Sequence, residues 1–338
     1  MNKIIILLFI VIGSCVILYC TRKKNIIVPD VKWPFLNLKD ENNKNINVLV
    51  IRAFLDTPEL KKQFLQYYHS GISFIGCSSY LSYPKNCLNN HGRCHNIDVR
   101  IDNKYIEEYV LGWCHCFRNP EDYIKFSIPR ILLSESDFPN YDFLRPDNTD
   151  ILYDFICIQP IDTKKCEAKW HAHNKNWKLA EKCIKIFVDE FHLRGIVIGR
   201  EHCPIDVIHR NRVTTTGFLK YSDCITKMKQ SRFMLLPNFE DASPRVLTEA
   251  LSLNKPVFVY EKILGGWKYV NPRTGIFFNE TNINKQVKYL LENLNSFSPR
   301  KAFLEEYCIE KQGKRFKKFL QSIYPDLSPC KYVKFAVS

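Results

Sequence analysis

The sequence predicts an α/β protein with two Rossmann-like, doubly wound domains that face a cleft. Short apolar runs of strand length alternate with segments of helical spacing, as they do in parallel sheets. This alternation occurs twice along the 338 residues, a length that suits two ordinary domains. Hydrophobic residues make up 46% of the chain, which is enough for a sizeable core in each domain.

The N-terminal segment predicts a transmembrane anchor with a basic flank over residues 1–24. Residues 4–20 are almost wholly apolar, and the basic side chains of residues 22–24 follow directly. A run of about 17 to 20 apolar residues can just span a bilayer, and a cleaved signal peptide is the competing interpretation. Because no small-x-small cleavage site precedes the basic flank, we favour an uncleaved anchor. The charges on its two sides leave the orientation open.

A stalk and a first domain are predicted next. Residues 25–45 are polar with two prolines, which is typical of a stalk. The first domain is expected over residues 46–149, with a helix that has Thr57 as its N-cap and Pro58 in its first turn. Its candidate strands are residues 47–54, 72–79, 109–117 and 130–135.

The second domain is expected over residues 150–298. Residues 299–338 are expected to form a C-terminal helix, roughly residues 299–322, that crosses back onto the first domain, followed by a tail. Ligands of such sheets bind beyond the carboxyl ends of the strands. The predicted strands of the second domain are residues 153–159, 193–199 and 233–236, and its helices are residues 176–191 and 222–230, the latter capped by Ser222.

The most informative segment, residues 231–278, is predicted to form a strand, an acidic loop, a capped helix, a strand, a Gly-Gly loop and a short strand. Ser243 is a suitable N-cap and Pro244 suits the first helical position. The free N–H groups at this helix start can bind a pyrophosphate, and Arg245 in the first turn can add a charged contact. The alternative is that Arg245 and Glu249 form only a surface ion pair.

Two carboxylates of this segment can serve as hydroxyl ligands. Glu249 lies one helical turn beyond Arg245, where it can accept hydrogen bonds from two ribose hydroxyls. Asp241 or Glu240, in the loop, can do the same for a sugar. Asp241 can instead be a simple helix-capping residue.

These residues resemble a known family. Asp241-x7-Glu249 is similar to the E-x7-E motif of retaining glycosyltransferases of family 4, which have the GT-B fold. Gly265-Gly266 resembles the family's Gly-Gly loop, and Lys175 stands near the place of its phosphate-binding lysine. The chain departs from the family by Asp241 in place of glutamate. The S-R-F-x-L-x-P and S-P-R-x-L-x-E-A-L elements also resemble exostosin-like inverting transferases.

Together with the predicted anchor, the resemblance implies a membrane-anchored GT-B glycosyltransferase that transfers sugar from a UDP- or GDP-sugar to a glycan or glycoprotein hydroxyl. Retention of configuration, independence of metal ions and an endomembrane (ER or Golgi) location are part of this expectation. A GT-B-like binding protein without transfer activity is the alternative. The candidate catalytic residues are Asp241, Glu240 and His115; the candidate donor-binding residues are Lys175, Ser243, Arg245, Glu249, Gly265 and Gly266.

Three further features remain open at this stage. The net charge of +14 suits anionic partners, but no Lys/Arg block interleaved with aromatics supports nucleic-acid binding. Glu135 and Asp137 follow a strand and only loosely resemble a D-x-D metal motif. The Cys/His cluster of the first half, residues 77–116, is compatible with zinc, with disulfides or with ordinary buried thiols, and its C-x-C pair lacks the usual zinc spacing.

Overall fold

In a computed structural model, two six-stranded sheets organise the part of the chain that the structure describes. The structure describes residues 27–78, 83–84, 100–124, 126–161, 166 and 169–337, with the backbone alone for 169–171. The predicted anchor over residues 1–24 lies outside these residues. Within the described part, no helix is both long and apolar enough to cross a bilayer.

The first sheet has the order β12-β1-β2-β3-β4-β5. Strands β2 to β5 are parallel, whereas β1 pairs antiparallel with both β2 and β12. The predicted parallel core of the first domain is therefore confirmed. Its strands are β1 (Phe35–Asp40), β2 (Asn45–Ile51), β3 (Ser73–Cys77), β4 (Val110–His115), β5 (Arg130–Leu132) and β12 (Val333–Phe335).

Strand β1 corrects the prediction that residues 25–45 form only a stalk. Phe35 and Leu38 are almost fully buried, and the strand contributes to the core of the sheet. The Asn37 amide is also buried, where its oxygen accepts from Val31 N at 3.0 Å and its nitrogen donates to Pro29 O at 2.8 Å. The polar composition that indicated a stalk is explained by this internally satisfied asparagine and by the exposed turn that follows β1.

The second sheet has the order β11-β10-β9-β6-β7-β8, and all its strand pairs are parallel. This is the doubly wound order of a dinucleotide-binding sheet, with its switch point between β6 and β9. The predicted strands of this domain are confirmed. Its strands are β6 (Tyr153–Ile158), β7 (Gly195–Ile198), β8 (Val213–Thr216), β9 (Ser231–Leu236), β10 (Val257–Tyr260) and β11 (Gly275–Phe278).

Helices cover the faces of both sheets. Thr57 caps the first of them as predicted, since its Oγ1 accepts from Leu60 N at 3.2 Å. Ser222 does not cap its helix, because the helix already begins at Tyr221. The helices are α1 (Pro58–His69), α2 (Lys169–Asn174), α3 (Trp177–Asp189), α4 (Tyr221–Lys229), α5 (Arg245–Ser252), α6 (Ile283–Glu292), α7 (Pro299–Glu306) and α8 (Ile309–Ile323).

The C-terminal segment returns to the first domain. The single helix predicted from residue 299 to 322 is two helices, α7 and α8, separated at Tyr307 and Cys308. Phe303 of α7 packs in a core of the second domain, whereas Phe316 and Leu320 of α8 pack in a core of the first domain. The chain therefore crosses between the domains twice.

Candidate active site

The acidic loop after β9 is held by side chains from two segments. Asp241 Oδ2 accepts a hydrogen bond from Asn238 Nδ2 at 2.7 Å and forms an ion pair with Lys175. Both charged side chains are largely buried, with 12% of Asp241 and 19% of Lys175 exposed. The structure thus brings two predicted site residues together. Sequence reasoning did not identify Asn238, because a lone asparagine after a strand carries no distinctive signal.

Glu240 is fixed to the segment that precedes α3. Its carboxylate lies 3.4 Å from His173 Nε2, and its backbone oxygen accepts from Asn174 Nδ2 at 2.9 Å. Phe239 N also donates to Asn174 O at 2.9 Å. The loop after β9 and the segment before α3 therefore form one edge of the site, on which Asp241, Glu240 and Lys175 are neighbours.

Ser243 does not cap α5, which corrects the prediction. The N-cap is Pro244, with no side-chain capping bond, and the helix begins at Arg245. The Ser243 hydroxyl lies instead 2.9 Å from the Ser136 hydroxyl and accepts from Ser136 N at 3.2 Å. Because its oxygen is used across the cleft, it does not serve the helix start. This contact brings the two domains together immediately before α5.

Gly265 and Gly266 lie directly against the acidic loop. Gly265 N donates to Asp241 O at 2.9 Å, and a Cβ on Gly265 would lie 1.8 Å from the Ala242 carbonyl oxygen. Gly266 has a φ of +78°, in the left-handed region that favours glycine. The Gly-Gly loop is thus required for the close approach of two backbones.

Replacing Gly265 with alanine is expected to destabilise the fold by about 3 kcal/mol, because a rigid carbonyl occupies the space of the new methyl group. Gly217→Ala is the matched control: its Cβ would meet only the Glu201 carboxylate, at 2.9 Å, and that side chain is 58% exposed and can move. Its cost should stay below about 1 kcal/mol. Denaturant unfolding of both variants measures the difference, and equal costs would contradict this account.

A cavity of about 940 Å³ lies between the domains. Its lining includes Arg245, Glu249 and Tyr221 from the second domain and Glu135 from the first. Glu249 is 8% exposed, and its Oε1 accepts from Tyr221 OH at 3.2 Å. Burial raises the pKa of Glu249, and the charge of Arg245 opposes this effect.

The remaining predicted residues do not line this cavity. Lys175, Asp241 and Ser243 lie on the neighbouring edge, together with the Gly-Gly loop. The structure therefore places Arg245 and Glu249 in the cavity. It places Asp241 in the loop beside the cavity, where Asp241 forms its ion pair with Lys175.

His115 lies at the end of β4 and is buried, with 6% of the residue exposed. Its ring stacks on Phe117 at a centroid distance of 6.2 Å. Burial, followed by the positive charges of Arg130 and Lys268, lowers the pKa of His115 to about 4. The imidazole is therefore neutral near pH 7, and its assignment as a catalytic residue stays a prediction.

Acidification from pH 7 to pH 5 is expected to cost about 2 kcal/mol of stability through His115. The unfolded chain binds a proton near the ordinary pKa of 6.5, whereas the folded chain does so only near 4. The stability that the neutral His115 contributes is thus fully present above pH 6.5, and it is lost as the pH falls from 6.5 towards 4. Denaturant unfolding at both pH values should show a smaller decline in His115→Phe than in His202→Phe, an exposed control. An identical decline in both variants would contradict the assignment.

Two polar contacts across the domains were not predicted. Lys268 Nζ lies 2.7 Å from both oxygens of Asp137, whose side chain is fully buried. Trp267 Nε1 donates to Cys116 O at 2.9 Å. Both second-domain residues follow the Gly-Gly loop, so this loop is anchored on the first domain as well as on the acidic loop.

The cysteines of the first half are separate thiols where the structure describes them. Cys77, Cys114 and Cys116 are free and buried, and burial raises the pKa of each thiol. Cys87 and Cys94 lie outside the described residues. Within those residues, no three metal-binding side chains are grouped together. A disulfide joins Cys166 and Cys203 in the second domain.

The two facing sheets, with the second in doubly wound order, define the GT-B class of fold. Solved glycosyltransferases share it: sucrose-phosphate synthase from Thermosynechococcus elongatus matches with a TM-score of 0.54 and 11% identity over 90% of this chain and 88% of that protein. HepE from Anabaena, solved with UDP, matches with a TM-score of 0.55 and 11% identity over 81% of this chain and 78% of that protein.

A variant of S. aureus TarM, solved with fondaparinux, α-GlcNAc-glycerol and UDP, matches with a TM-score of 0.54 and 13% identity over 78% of this chain. The match covers only 54% of that protein, so this chain aligns with about half its length. No family model matches the sequence, and no curated protein is significantly similar to it. At these identities, the likeness establishes the fold.

Proposed function

We propose that this protein is a glycosyltransferase that moves a sugar from a nucleotide-diphosphate-sugar to an acceptor hydroxyl. The observation that carries the proposal is the position of Glu249 and Arg245. Both lie on the helix that follows the switch-point strand β9, and both line the cavity between the domains. Ligands of doubly wound sheets bind beyond the carboxyl ends of such strands.

In the proposed reaction, the bond between the anomeric carbon and the diphosphate breaks, and negative charge develops on the β-phosphate. The N–H groups of the first turn of α5 and the Arg245 guanidinium stabilise this charge. Lys175 contributes when a diphosphate competes with Asp241 for its ammonium group. Glu249 accepts hydrogen bonds from the ribose hydroxyls, and Asp241 or Glu240 orients the transferred sugar.

Further points bear on the donor nucleotide, the acceptor, the cellular location and the stereochemistry of the proposed reaction. HepE was also solved with UDP-glucose, which favours a UDP-sugar, and a GDP-sugar is the second choice. We propose a glycan or glycoprotein acceptor, and an endomembrane location through the apolar segment of residues 4–20. The resemblance to family 4 favours retention of configuration without a metal ion, whereas the exostosin-like elements favour inversion.

Thermal unfolding of the purified full chain with UDP, GDP, ADP and no nucleotide tests the proposal. We expect a specific rise in melting temperature with UDP or GDP, because a ligand that binds only the folded state stabilises it by mass action. Release of UDP from UDP-glucose then separates an enzyme from a binding protein without transfer activity. No shift with any nucleotide would overturn the proposal.

A further inference from the structure

The turn after β5 carries a carboxylate that the proposed donor site does not use. This turn, Glu135–Asp137, is fixed by Asp137, which accepts from Ser134 N at 2.8 Å and pairs with Lys268. Neither contact involves the Glu135 side chain. The turn therefore fixes the backbone of Glu135 without using its carboxylate, which can still bind a ligand.

One oxygen of Glu135 has a partner and the other does not. Oε1 lies 3.1 Å from Arg52 Nη1, and the Arg52 guanidinium also lies 4.6 Å from the centre of the Trp33 ring. Oε2 is buried and has no hydrogen-bond partner in the part of the chain that the structure describes. Only 7% of the side chain is exposed. Leaving a buried acceptor without a partner is unfavourable, and a ligand that donates a hydrogen bond to it would offset that cost.

Glu135 faces the proposed donor site from the opposite domain. It lines the same cavity as Arg245 and Glu249. Its neighbour Ser136 contacts Ser243, which directly precedes the N-cap of the helix that carries both of these residues. The free oxygen of Glu135 thus belongs to the first domain, whereas the diphosphate ligands belong to the second.

The chemistry of the site favours a neutral hydroxyl donor over a cation. Arg52 already compensates the charge of the Glu135 carboxylate, so a second cation would find little net attraction there. A hydroxyl group donates a hydrogen bond to Oε2 without adding charge. An acceptor sugar supplies such a hydroxyl.

We propose that Glu135 is the catalytic residue that binds the acceptor hydroxyl and removes its proton, an inference that rests on the proposed function. The acceptor oxygen forms a bond to the anomeric carbon as the bond from that carbon to the β-phosphate oxygen breaks. The hydroxyl proton goes to Glu135 Oε2, and the electron pair of the broken bond leaves with the diphosphate. Attack from the side opposite the diphosphate inverts the configuration, in contrast to the retention that the family 4 resemblance implies.

Glu135→Gln in the full chain tests this role, with the UDP- or GDP-sugar matching the nucleotide that stabilises the wild type, and with water as the acceptor. We expect an unchanged nucleotide-induced shift in melting temperature and a loss of hydrolysis of about 100-fold or more, the usual contribution of a general base. Glu121→Gln is the matched control. Glu121 also lies 3.1 Å from an arginine of the first domain, Arg130, but its side chain is 70% exposed.

Azide rescue separates proton removal from a structural role. Azide is an anionic nucleophile that has no proton to lose, so it should restore donor turnover in Glu135→Ala and yield a glycosyl azide of inverted configuration. The same salt should not rescue Glu249→Ala. Full hydrolysis by Glu135→Gln, absence of rescue, or an azide of retained configuration would overturn the proposal. A wild type without nucleotide binding would overturn the proposed function itself.

Discussion

Glu249→Ala is expected to reduce donor turnover about 100- to 1,000-fold and to remove most of the nucleotide-induced shift in melting temperature. Glu249 is 8% exposed, so its carboxylate makes its hydrogen bonds in a desolvated setting. Hydrogen bonds to charged groups contribute about 1.5 to 3 kcal/mol each, and two ribose hydroxyls would account for the loss. Release of UDP from a UDP-sugar and thermal unfolding with UDP provide the two measurements.

Tyr221→Phe serves as the control for this variant. It removes only the hydroxyl that donates to Glu249 Oε1 at 3.2 Å, and it leaves the carboxylate in the cavity. We expect a loss below about 10-fold, since one neutral donor is removed. If Glu249→Ala retains wild-type turnover, the ribose assignment is wrong, and the buried Glu249 carboxylate has only a structural role through its contact with Tyr221.

Lys268→Ala is expected to destabilise the protein by about 3 to 5 kcal/mol, because the variant leaves a buried carboxylate without its counterion. Asp137 is fully buried, and both of its oxygens lie 2.7 Å from Lys268 Nζ. Burial lowers the pKa of Lys268, and the charge of Asp137 opposes this effect. Because the pair joins the two domains, the variant should also unfold in a less cooperative transition.

Lys262→Ala is the exposed counterpart. Lys262 lies 3.4 Å from Glu280, and the side chains are 56% and 46% exposed. Solvent-exposed pairs contribute about 0 to 1 kcal/mol, so this variant should be close to the wild type. Denaturant unfolding of both variants makes the comparison. If Lys268→Ala and Lys262→Ala lower the free energy of unfolding by similar amounts, groups other than Lys268 compensate the buried charge of Asp137.

The second domain could be predicted largely because its signals are local. Residues 231–278 encode a buried strand, a helix with an apolar stripe and a loop with two glycines in succession, and each element forms where the pattern indicates. The positions of Arg245 and Glu249 on one helix, one turn apart, follow from helical geometry alone. Their place in a cavity follows from the doubly wound order.

Features that depend on distant partners could not be predicted. Strand β1 lies in a largely polar segment, and one of its two partner strands, β12, comes almost three hundred positions later in the chain. The Ser243 hydroxyl suits a cap by every local rule, but its contact with Ser136 takes precedence. Arg52, which directly follows another strand, binds one oxygen of Glu135 and leaves the other without a partner among the residues that the structure describes. Contacts between residues that are so far apart in the sequence leave no periodic pattern from which they could be predicted.

The return of the chain to the first sheet has a consequence for biosynthesis. The edge strand β12 and the helix α8, which contributes Phe316 and Leu320 to the core of the first domain, leave the ribosome after the whole second domain. The first domain, although synthesised first, is therefore the last to be completed. Until then, the open edge of β1 and the apolar surface beneath α8 are exposed to chaperones or to aggregation, whereas strands β6 to β11 of the second domain have already been synthesised.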